Sequence, residues 1–210
     1  RDGTVTGVQT CALPISDVRW LVLLCASRLG FALINTVYAA LIPLLRPAWA
    51  MSASEAGAVQ SAWHAGYIVS LVAASVFAGR YGARNTFLGM GWAACASTVV
   101  FALGAQDFSS ACLLYGLAGL CAGGSSTTSP AAMSTRGRAM GAYIAAASLG
   151  YAVGLVGAGA LASGFGATAG FLLAALGTLL GQALAMLTLR GTANVVVAPA
   201  ARGAVVSLAS

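Results

Sequence analysis

A single arginine lies inside the first apolar segment of this 210-residue sequence. Arg28 falls about ten residues into a predicted helix, roughly 15 Å along its axis, where a charge is costly in a membrane. Asn35 lies seven residues further on, on the same helical face, and Thr36 lies beside it. A fixed guanidinium beside an amide and a hydroxyl can bind the carboxylate of a small molecule. We therefore predict a substrate site at Arg28, Asn35 and Thr36.

Other roles also fit the polar residues of the apolar segments. Arg28 can instead extend toward lipid headgroups or hydrogen-bond helix carbonyls. His64, the one histidine, can relay protons near neutral pH or simply pack among Gln60, Trp63 and Tyr67. The sequence contains no paired catalytic carboxylates, no phosphate-binding loop and no Cys/His metal pattern. We therefore expect no catalytic residue, no enzyme activity, no cofactor and no bound metal.

The composition indicates that membrane helices carry these residues. Hydrophobic residues make up 60% of the sequence and charged residues 7%, whereas soluble domains average about 45–50% and about 25%. The apolar residues come in blocks of about 20 or more, enough to cross a bilayer as a helix. All ten basic residues are arginines, spread along the chain rather than gathered in one run. We expect membrane lipid as a partner and no nucleic acid.

The first sixteen residues do not fit this pattern. They are polar, begin without Met and resemble neither a signal peptide nor a helix. Residues 5–15 match the in-frame translation of a common sequencing-library adapter. We assign residues 1–16 to an adapter-derived artefact, so that the native sequence starts near Asp17; a natural disordered N-terminus is the alternative.

Turn-forming residues divide the rest of the sequence into six apolar segments, each long enough to span a membrane. Residues 17–190 therefore predict an all-α, polytopic bundle of six transmembrane helices. Residues 191–210 are predicted to be the start of a cytoplasmic linker or a broken end. The predicted helices cover about residues 18–43, 55–78, 85–104, 108–129, 138–162 and 167–190.

A shift of 84 residues aligns residues 57–88 with residues 141–172 without a gap. Matches of Ala and Gly, such as Gly66 with Gly150, are expected by chance in this composition, whereas Tyr67 with Tyr151 and Phe87 with Phe171 in one register are not. Residues 17–104 and 105–190 are therefore predicted to be two repeats of three helices. Because three is an odd number, the second copy crosses the membrane in the opposite sense, which is a 3+3 inverted repeat.

The arginines predict the orientation of the helices, since cytoplasmic loops carry an excess of basic residues. Only Arg46 lies on the opposite side from the others that flank the six helices. On the predicted cytoplasmic side lie Arg19, Arg80, Arg84, Arg136, Arg138 and Arg190. We expect both ends of the six-helix unit in the cytoplasm. The lysine-free, Ala- and Gly-rich composition suggests a GC-rich genome and hence a bacterial inner membrane.

Residues 75–84, SVFAGRYGAR, resemble the signature between helices 2 and 3 of major facilitator superfamily transporters, Gly-x-Leu-Ala-Asp-Arg-x-Gly-Arg-Arg. Gly79 stands in place of the acidic residue and Ser75 in place of the first glycine. The resemblance implies a gating role in the cytoplasmic loop, with a weaker latch because the acidic residue is absent. Four positions match the signature: Ala78, Arg80, Gly82 and Arg84.

Physical chemistry alone gives the matching residues simpler roles. Gly82 permits a tight turn. Arg80 and Arg84 can bond helix-end carbonyls and lipid phosphates, or serve only as positive-inside anchors.

Glycine-rich stretches resemble the same family. Residues 115–124 resemble its helix 4 motif, with Tyr115 where an arginine often stands. Helix 5 resembles the antiporter-type motif, although Leu155 takes the place of the expected proline, which argues against drug–proton antiport. Small residues four positions apart let helices approach closely, either as static packing or as a sliding surface. The predicted helix-packing residues are Gly119, Gly123, Gly150 and Gly154.

The resemblance covers about residues 17–190 and implies the N-terminal six-helix half of a transporter. It implies that helices 1 and 4 line a central cavity and that helices 3 and 6 face lipid. We predict secondary active transport of a small solute, anionic if Arg28 binds it, by alternating access with a missing C-terminal six-helix half. The alternatives are a six-helix membrane scaffold or subunit that does not transport, and an inactive fragment.

Overall fold

The computed structural model describes residues 18–124 and 137–190, and these residues are helical apart from short connections. The adapter-like segment, the predicted end of the fourth helix, Arg136 and the linker lie outside the described residues. Five helices are long and apolar enough to cross a membrane, and the described part of the fourth is shorter. The predicted all-α six-helix fold is confirmed. Its helices are α1 (Val18–Ala48), α2 (Ala53–Tyr81), α3 (Ala83–Gly104), α4 (Phe108–Ala122), α5 (Gly137–Phe165) and α6 (Ala167–Leu189).

The first helix is longer than predicted, because α1 continues through Pro43 and Pro47. A proline inside a helix costs roughly 3 kcal/mol, since it removes a backbone hydrogen bond. Leu41 and Leu45 lie on this last part of α1 and are almost completely buried in the core. The packing of these two leucines holds the segment in the helix despite the prolines.

Side-chain caps begin α2 and α4. The backbone N–H of Ser52 donates to the Glu55 carboxylate at 2.8 Å, and Glu55 N–H donates back to the Ser52 hydroxyl. At α4, the Asp107 carboxylate accepts from the hydroxyl and the N–H of Ser110, which holds the pKa of Asp107 below its ordinary value. Both caps satisfy N–H groups that lack a partner within the helix.

The two predicted repeats have matching helix bounds. Helices α2 and α5 are each 29 residues long, and 84 residues separate both their starts and their ends. Helices α3 and α6 also start 84 residues apart, directly after Gly82 and Gly166, whose φ angles are 85° and 84°. Such a backbone favours glycine, because other residues clash there. The same shift therefore relates the turns as well as the helices.

The first helix of each repeat packs on the other repeat. Helix α1 packs mainly on α5 and α6, and α4 packs on α2 and α3. Because each repeat has three helices, the second crosses in the opposite sense, so this exchanged packing forms a 3+3 inverted bundle. The largest cluster of buried hydrophobic residues draws on all six helices. Neither repeat has a separate core.

The predicted helix-packing glycines lie at close contacts between helices. Gly119 lies against the backbone carbonyl of Trp63 on α2, and Gly150 lies against the backbone of Leu29 on α1. Gly123 and Gly154 make the equivalent approaches further along their helices. A Cβ atom at any of these four glycines would come closer than 3.0 Å to the neighbouring helix. Small residues are needed there for the helices to meet.

Candidate functional site

Two adjoining cavities lie on the surface formed by α1, α2, α4 and α5. The central cavity, as we name it, is lined by residues that include Arg28, Phe31, Asn35, Trp63, Tyr67 and Tyr151. The α1–α5 groove has a volume of about 200 Å³, and its lining includes Arg28, Met140, Tyr143, Ala147, Ser148 and Tyr151. Arg28 and Tyr151 line both cavities, which therefore form one continuous surface.

The central cavity lies halfway along the helices. Tyr67 is the central residue of α2, and Tyr151 is the central residue of α5. The 84-residue shift relates these two tyrosines, and both line the cavity. Residues related by an inverted repeat lie equally far from its pseudo-two-fold axis, so a cavity lined by both lies at that axis. This depth is where proteins built from inverted repeats bind their ligands.

Arg28 supplies the charge of this surface. Among the described residues that line the two cavities, it is the one with an ionised side chain. Its guanidinium carbon lies 5.5 Å from the centroid of the Tyr143 ring, which is a cation–π distance. The guanidinium therefore lies against α5 inside the bundle, on the wall shared by the cavity and the groove.

Asn35 joins Arg28 at the central cavity, whereas Thr36 contacts α5. The Thr36 hydroxyl donates to the backbone carbonyl of Tyr151 at 3.1 Å, and Gly154 packs against it. The amide of Asn35 makes no hydrogen bond within the part of the chain that the structure describes. Of the three residues predicted for the substrate site, the structure brings two to one cavity and places the third in helix packing.

His64 lies on α2 next to the cavity residues but lines neither cavity. Its exposed ring meets Trp63 edge-on, with 5.0 Å between the ring centroids. Its Nε2 atom lies 3.3 Å from Nε2 of Gln60. The structure therefore does not bring the predicted proton relay to Arg28.

Aromatic rings form much of the cavity wall, and none of them was among the substrate-site residues predicted from the sequence. Trp63 and Tyr67 stack with 5.1 Å between ring centroids and 12° between ring planes. Tyr143 and Tyr151 contribute two more rings from α5. The signal that could have found them was the Tyr67/Tyr151 pair, because related residues at the centre of an inverted repeat lie close to its axis.

The two repeats place different side chains beside the two cavities. Trp63 on α2 corresponds to Ala147 on α5 under the 84-residue shift. Both residues are buried, with 3% of Trp63 and 6% of Ala147 exposed; Trp63 belongs to the main core and lines the central cavity, whereas Ala147 lines the groove. An indole on α2, beside the central cavity, therefore takes the position that a methyl group takes on α5, beside the groove.

The signature residues surround the turn between α2 and α3. Gly82 alone makes the turn. Gly79 and Arg80, which the sequence analysis assigned to the connection between two helices, therefore belong to α2. A single glycine at positive φ is sufficient to reverse the chain, and no longer loop is needed. Ala78 is buried, whereas Arg80 is exposed and lies over the neighbouring Tyr81 ring.

Arg84 ties the start of α3 to the end of α6. Its Nε donates to the backbone carbonyl of Leu189 at 2.8 Å. Near it, the indole N–H of Trp20 on α1 donates to the carbonyl of Thr188 at 3.1 Å. The last carbonyls of a helix have no partner within it, so these donors cap α6. The start of α1 and the end of α6 therefore lie on the same side of the bundle.

These features define a class of protein. It is a multi-pass membrane protein whose helical bundle is an inverted repeat with a charged and aromatic surface halfway across, the architecture of secondary transporters.

Residues 24–209 match the sequence profile of the Major Facilitator Superfamily. The match covers most of the sequence, and the chain therefore belongs to this superfamily of membrane transporters. The resemblance noted in the sequence is confirmed. No curated protein matches the chain.

Proposed function

We propose that the chain is the N-terminal half of a secondary active transporter that carries a small anionic solute by alternating access. The observation that carries this proposal is Arg28, the ionised side chain on the wall shared by the central cavity and the groove. A planar guanidinium binds a carboxylate through two parallel hydrogen bonds. Asn35 adds an amide that can donate to the same anion.

The mechanism makes and breaks no covalent bond. A second six-helix bundle covers the surface of α1, α2, α4 and α5, and the two bundles rock about the solute. The groove leads the solute to Arg28 from the end of the bundle where α5 begins. We place the end of the bundle where α5 begins on the cytoplasmic side of a bacterial inner membrane, because most of the loop arginines lie on that side.

Lipid covers the sides of the bundle in this proposal. Helices α3 and α6 carry large apolar side chains that the bundle leaves exposed, as the family resemblance implies for these two helices. Their exposed residues include Trp92, Val100, Leu103, Leu172, Leu176 and Leu180. Apolar side chains are stable in contact with lipid chains.

The test is uptake of radiolabelled organic anions into proteoliposomes that contain the full-length transporter. Arg28→Ala removes the charge, and Arg28→Lys keeps it but loses the two-pronged donor. We expect both to reduce uptake at equal expression, Ala more than Lys, by on the order of 1.5–3 kcal/mol, as for hydrogen bonds to charged groups. Arg46→Ala is the matched control, because Arg46 is an exposed arginine of the same helix.

Three outcomes contradict the proposal in different ways. Normal anion uptake by Arg28→Ala removes Arg28 from the site. Uptake of neutral or cationic solutes alone removes the anionic substrate. Absence of uptake for every solute favours a membrane scaffold or subunit that does not transport.

A further inference from the structure

We infer that the solute is a monocarboxylate with a short apolar body, whose carboxylate binds Arg28 and whose body lies in the α1–α5 groove. The inference rests on the proposed function and names the substrate class of the same site. Three properties of the groove lead to it: its volume, its apolar lining and its single charge.

Of the two cavities, the groove has room for the body of a solute. The central cavity has a volume of about 10 Å³, which is about the space that one water molecule needs. The groove, at about 200 Å³, is larger than a cavity of about 150 Å³ that holds benzene. At the same packing, the groove accommodates roughly eight non-hydrogen atoms, enough for two carboxylate oxygens and about six carbons. A solute held at Arg28, on the shared wall, therefore extends into the groove.

The groove follows one face of α5. Its residues from this helix recur every three or four positions from Met140 to Tyr151, along about 16 Å of the helix axis. Met140, Ile144 and Ala147 give this face aliphatic side chains. Ser148 adds a hydroxyl, which donates to the backbone carbonyl of Ile144 at 3.4 Å. Such a wall favours methylene groups, and each one that is buried strengthens binding about fourfold.

A single charge serves the groove. Arg28 is the one ionised side chain among the described residues that line it. The guanidinium carbon lies 5.5 Å from the centroid of the Tyr143 ring, within the same stretch of α5. Among the described residues of the groove, a second carboxylate of the solute meets no further cation, and an ammonium group meets no carboxylate. Because a charge buried without a partner is costly, the groove selects one negative charge and an otherwise uncharged body.

The test compares three acids with the same six-carbon chain: hexanoate, hexanedioate and 6-aminohexanoate. They differ at the far end, which carries a methyl group, a second carboxylate or an ammonium group. Each acid is titrated into the full-length transporter in detergent by isothermal calorimetry. The rise in Tm gives a second readout, because a ligand that binds the folded state stabilises it. We expect hexanoate to bind at least about tenfold more tightly than the other two, since each of these buries a charge without a partner.

The length of the acid tests the apolar body. Butyrate lacks two methylene groups of hexanoate, and we expect it to bind about four- to fifteenfold more weakly, the value of one to two buried methylenes. Octanoate should bind less than about twofold more tightly than hexanoate, because its additional carbons exceed the volume of the groove.

Variants at Ile144 assign the preference to the groove. Ile144 is 55% exposed, so the fold tolerates a polar residue there. Ile144→Ser removes an aliphatic side chain from the wall, and we expect hexanoate to bind about fourfold more weakly, the value of one buried methylene, with a smaller change for butyrate. Ile68→Ser is the matched control, because Ile68 is 62% exposed on α2 and lines neither cavity. It should leave the affinities for both acids unchanged.

The results separate this inference from the proposed function. Uptake of organic anions without hexanoate binding, or binding of hexanedioate or 6-aminohexanoate as tight as that of hexanoate, overturns the monocarboxylate class and leaves an anion transporter. Equal affinities for butyrate and hexanoate, or a further fourfold gain per methylene in octanoate, contradict the short apolar body. A preference for hexanoate over butyrate that Ile144→Ser does not change places the body outside the groove and also overturns the inference. Transport of neutral or cationic solutes alone, with no binding of any of these acids, overturns the proposed function as well.

Discussion

Helices α2 and α5 have the same length, and each has a tyrosine at its centre, yet they differ in the side chains they place beside the central cavity and the groove. Both helices contribute to the main core, but Trp63 of α2 packs within it beside the central cavity, while its counterpart Ala147 of α5 lines the α1–α5 groove. The difference shows that the repeat determines the course of the backbone, whereas the side chains at equivalent positions differ in volume and line different cavities.

The two turns differ in the same manner. Gly82 and Gly166 have nearly the same backbone angles. Arg84 follows the first turn and caps α6, whereas its counterpart Thr168 is an exposed threonine with no such bond among the described residues. A shared backbone again carries different side-chain contacts.

Exchange of side chains between Trp63 and Ala147 tests the comparison most strongly. Trp63→Ala leaves a cavity in the core, and we expect a loss of about 3–5 kcal/mol in unfolding free energy, as for large aromatic deletions. The measurement is thermal unfolding of the purified protein in detergent. Trp92→Ala is the control, since Trp92 is exposed and we expect a smaller loss.

The reverse change should act on function rather than on stability. Ala147→Trp places an indole in the groove, and we expect slower uptake of organic anions at a stability cost of about 1–3 kcal/mol, typical of overpacking. Unchanged uptake by Ala147→Trp would mean that the groove is not the route to Arg28. Equal stability of Trp63→Ala and Trp92→Ala would mean that Trp63 is not a core residue.

Glycine pairs test whether the repeats pack alike. Gly66 and Gly150 each lie against the backbone of a neighbouring helix, and an alanine there forces the helices apart. We expect a loss of about 1–3 kcal/mol for Gly66→Ala and for Gly150→Ala. Gly57 and Gly141 are also related by the shift but have no heavy atom within 4 Å of an added Cβ, so alanine at either should be tolerated.

Parallel results at the two pairs support the symmetry, and unfolding by heat or by SDS measures them. A large loss at Gly66 together with none at Gly150, or the reverse, contradicts equivalent packing in the two repeats.

The turn glycines test the shared backbone directly. Gly82 and Gly166 have φ angles of 85° and 84°, which alanine adopts only with strain. Their ψ angles of 152° and 170° place them in a region essentially restricted to glycine, so we expect Gly82→Ala and Gly166→Ala each to lower the unfolding free energy by about 1–3 kcal/mol. Thermal midpoints of the two variants give the comparison. A change at one turn only contradicts their equivalence.

The arginines of the first turn give the smallest effect. Arg84 donates to the end of α6, while Arg80 is exposed over Tyr81. We expect Arg84→Ala to cost about 1 kcal/mol, the typical contribution of a hydrogen bond. Arg80→Ala should cost less, because exposed cation–π pairs contribute only about 0.5–1 kcal/mol. A thermal midpoint of Arg84→Ala equal to that of the parent protein would show that the contact of Arg84 with Leu189 does not stabilise the bundle.

Hydrophobic blocks and turn residues are local properties of the chain, and they were enough to predict the six helices and the 84-residue offset between them. Gly82 was predicted as a turn from its residue type and its place in the signature, and the structure places it there. The predicted end of α1 was wrong, because burial of Leu41 and Leu45 outweighs the cost of Pro43 and Pro47 in the helix. Burial depends on the neighbouring helices and is not a local property of the sequence.

The composition of the site was decided by tertiary structure. Arg28 and Asn35 share a helix face, so the sequence could pair them, but the bond from Thr36 to Tyr151 depends on how closely α5 approaches α1. Trp63, Tyr67 and Tyr143 come from other helices, and only packing brings them to Arg28. The periodicity of one helix tells which residues share a face; the distance between helices decides which faces meet and where space remains.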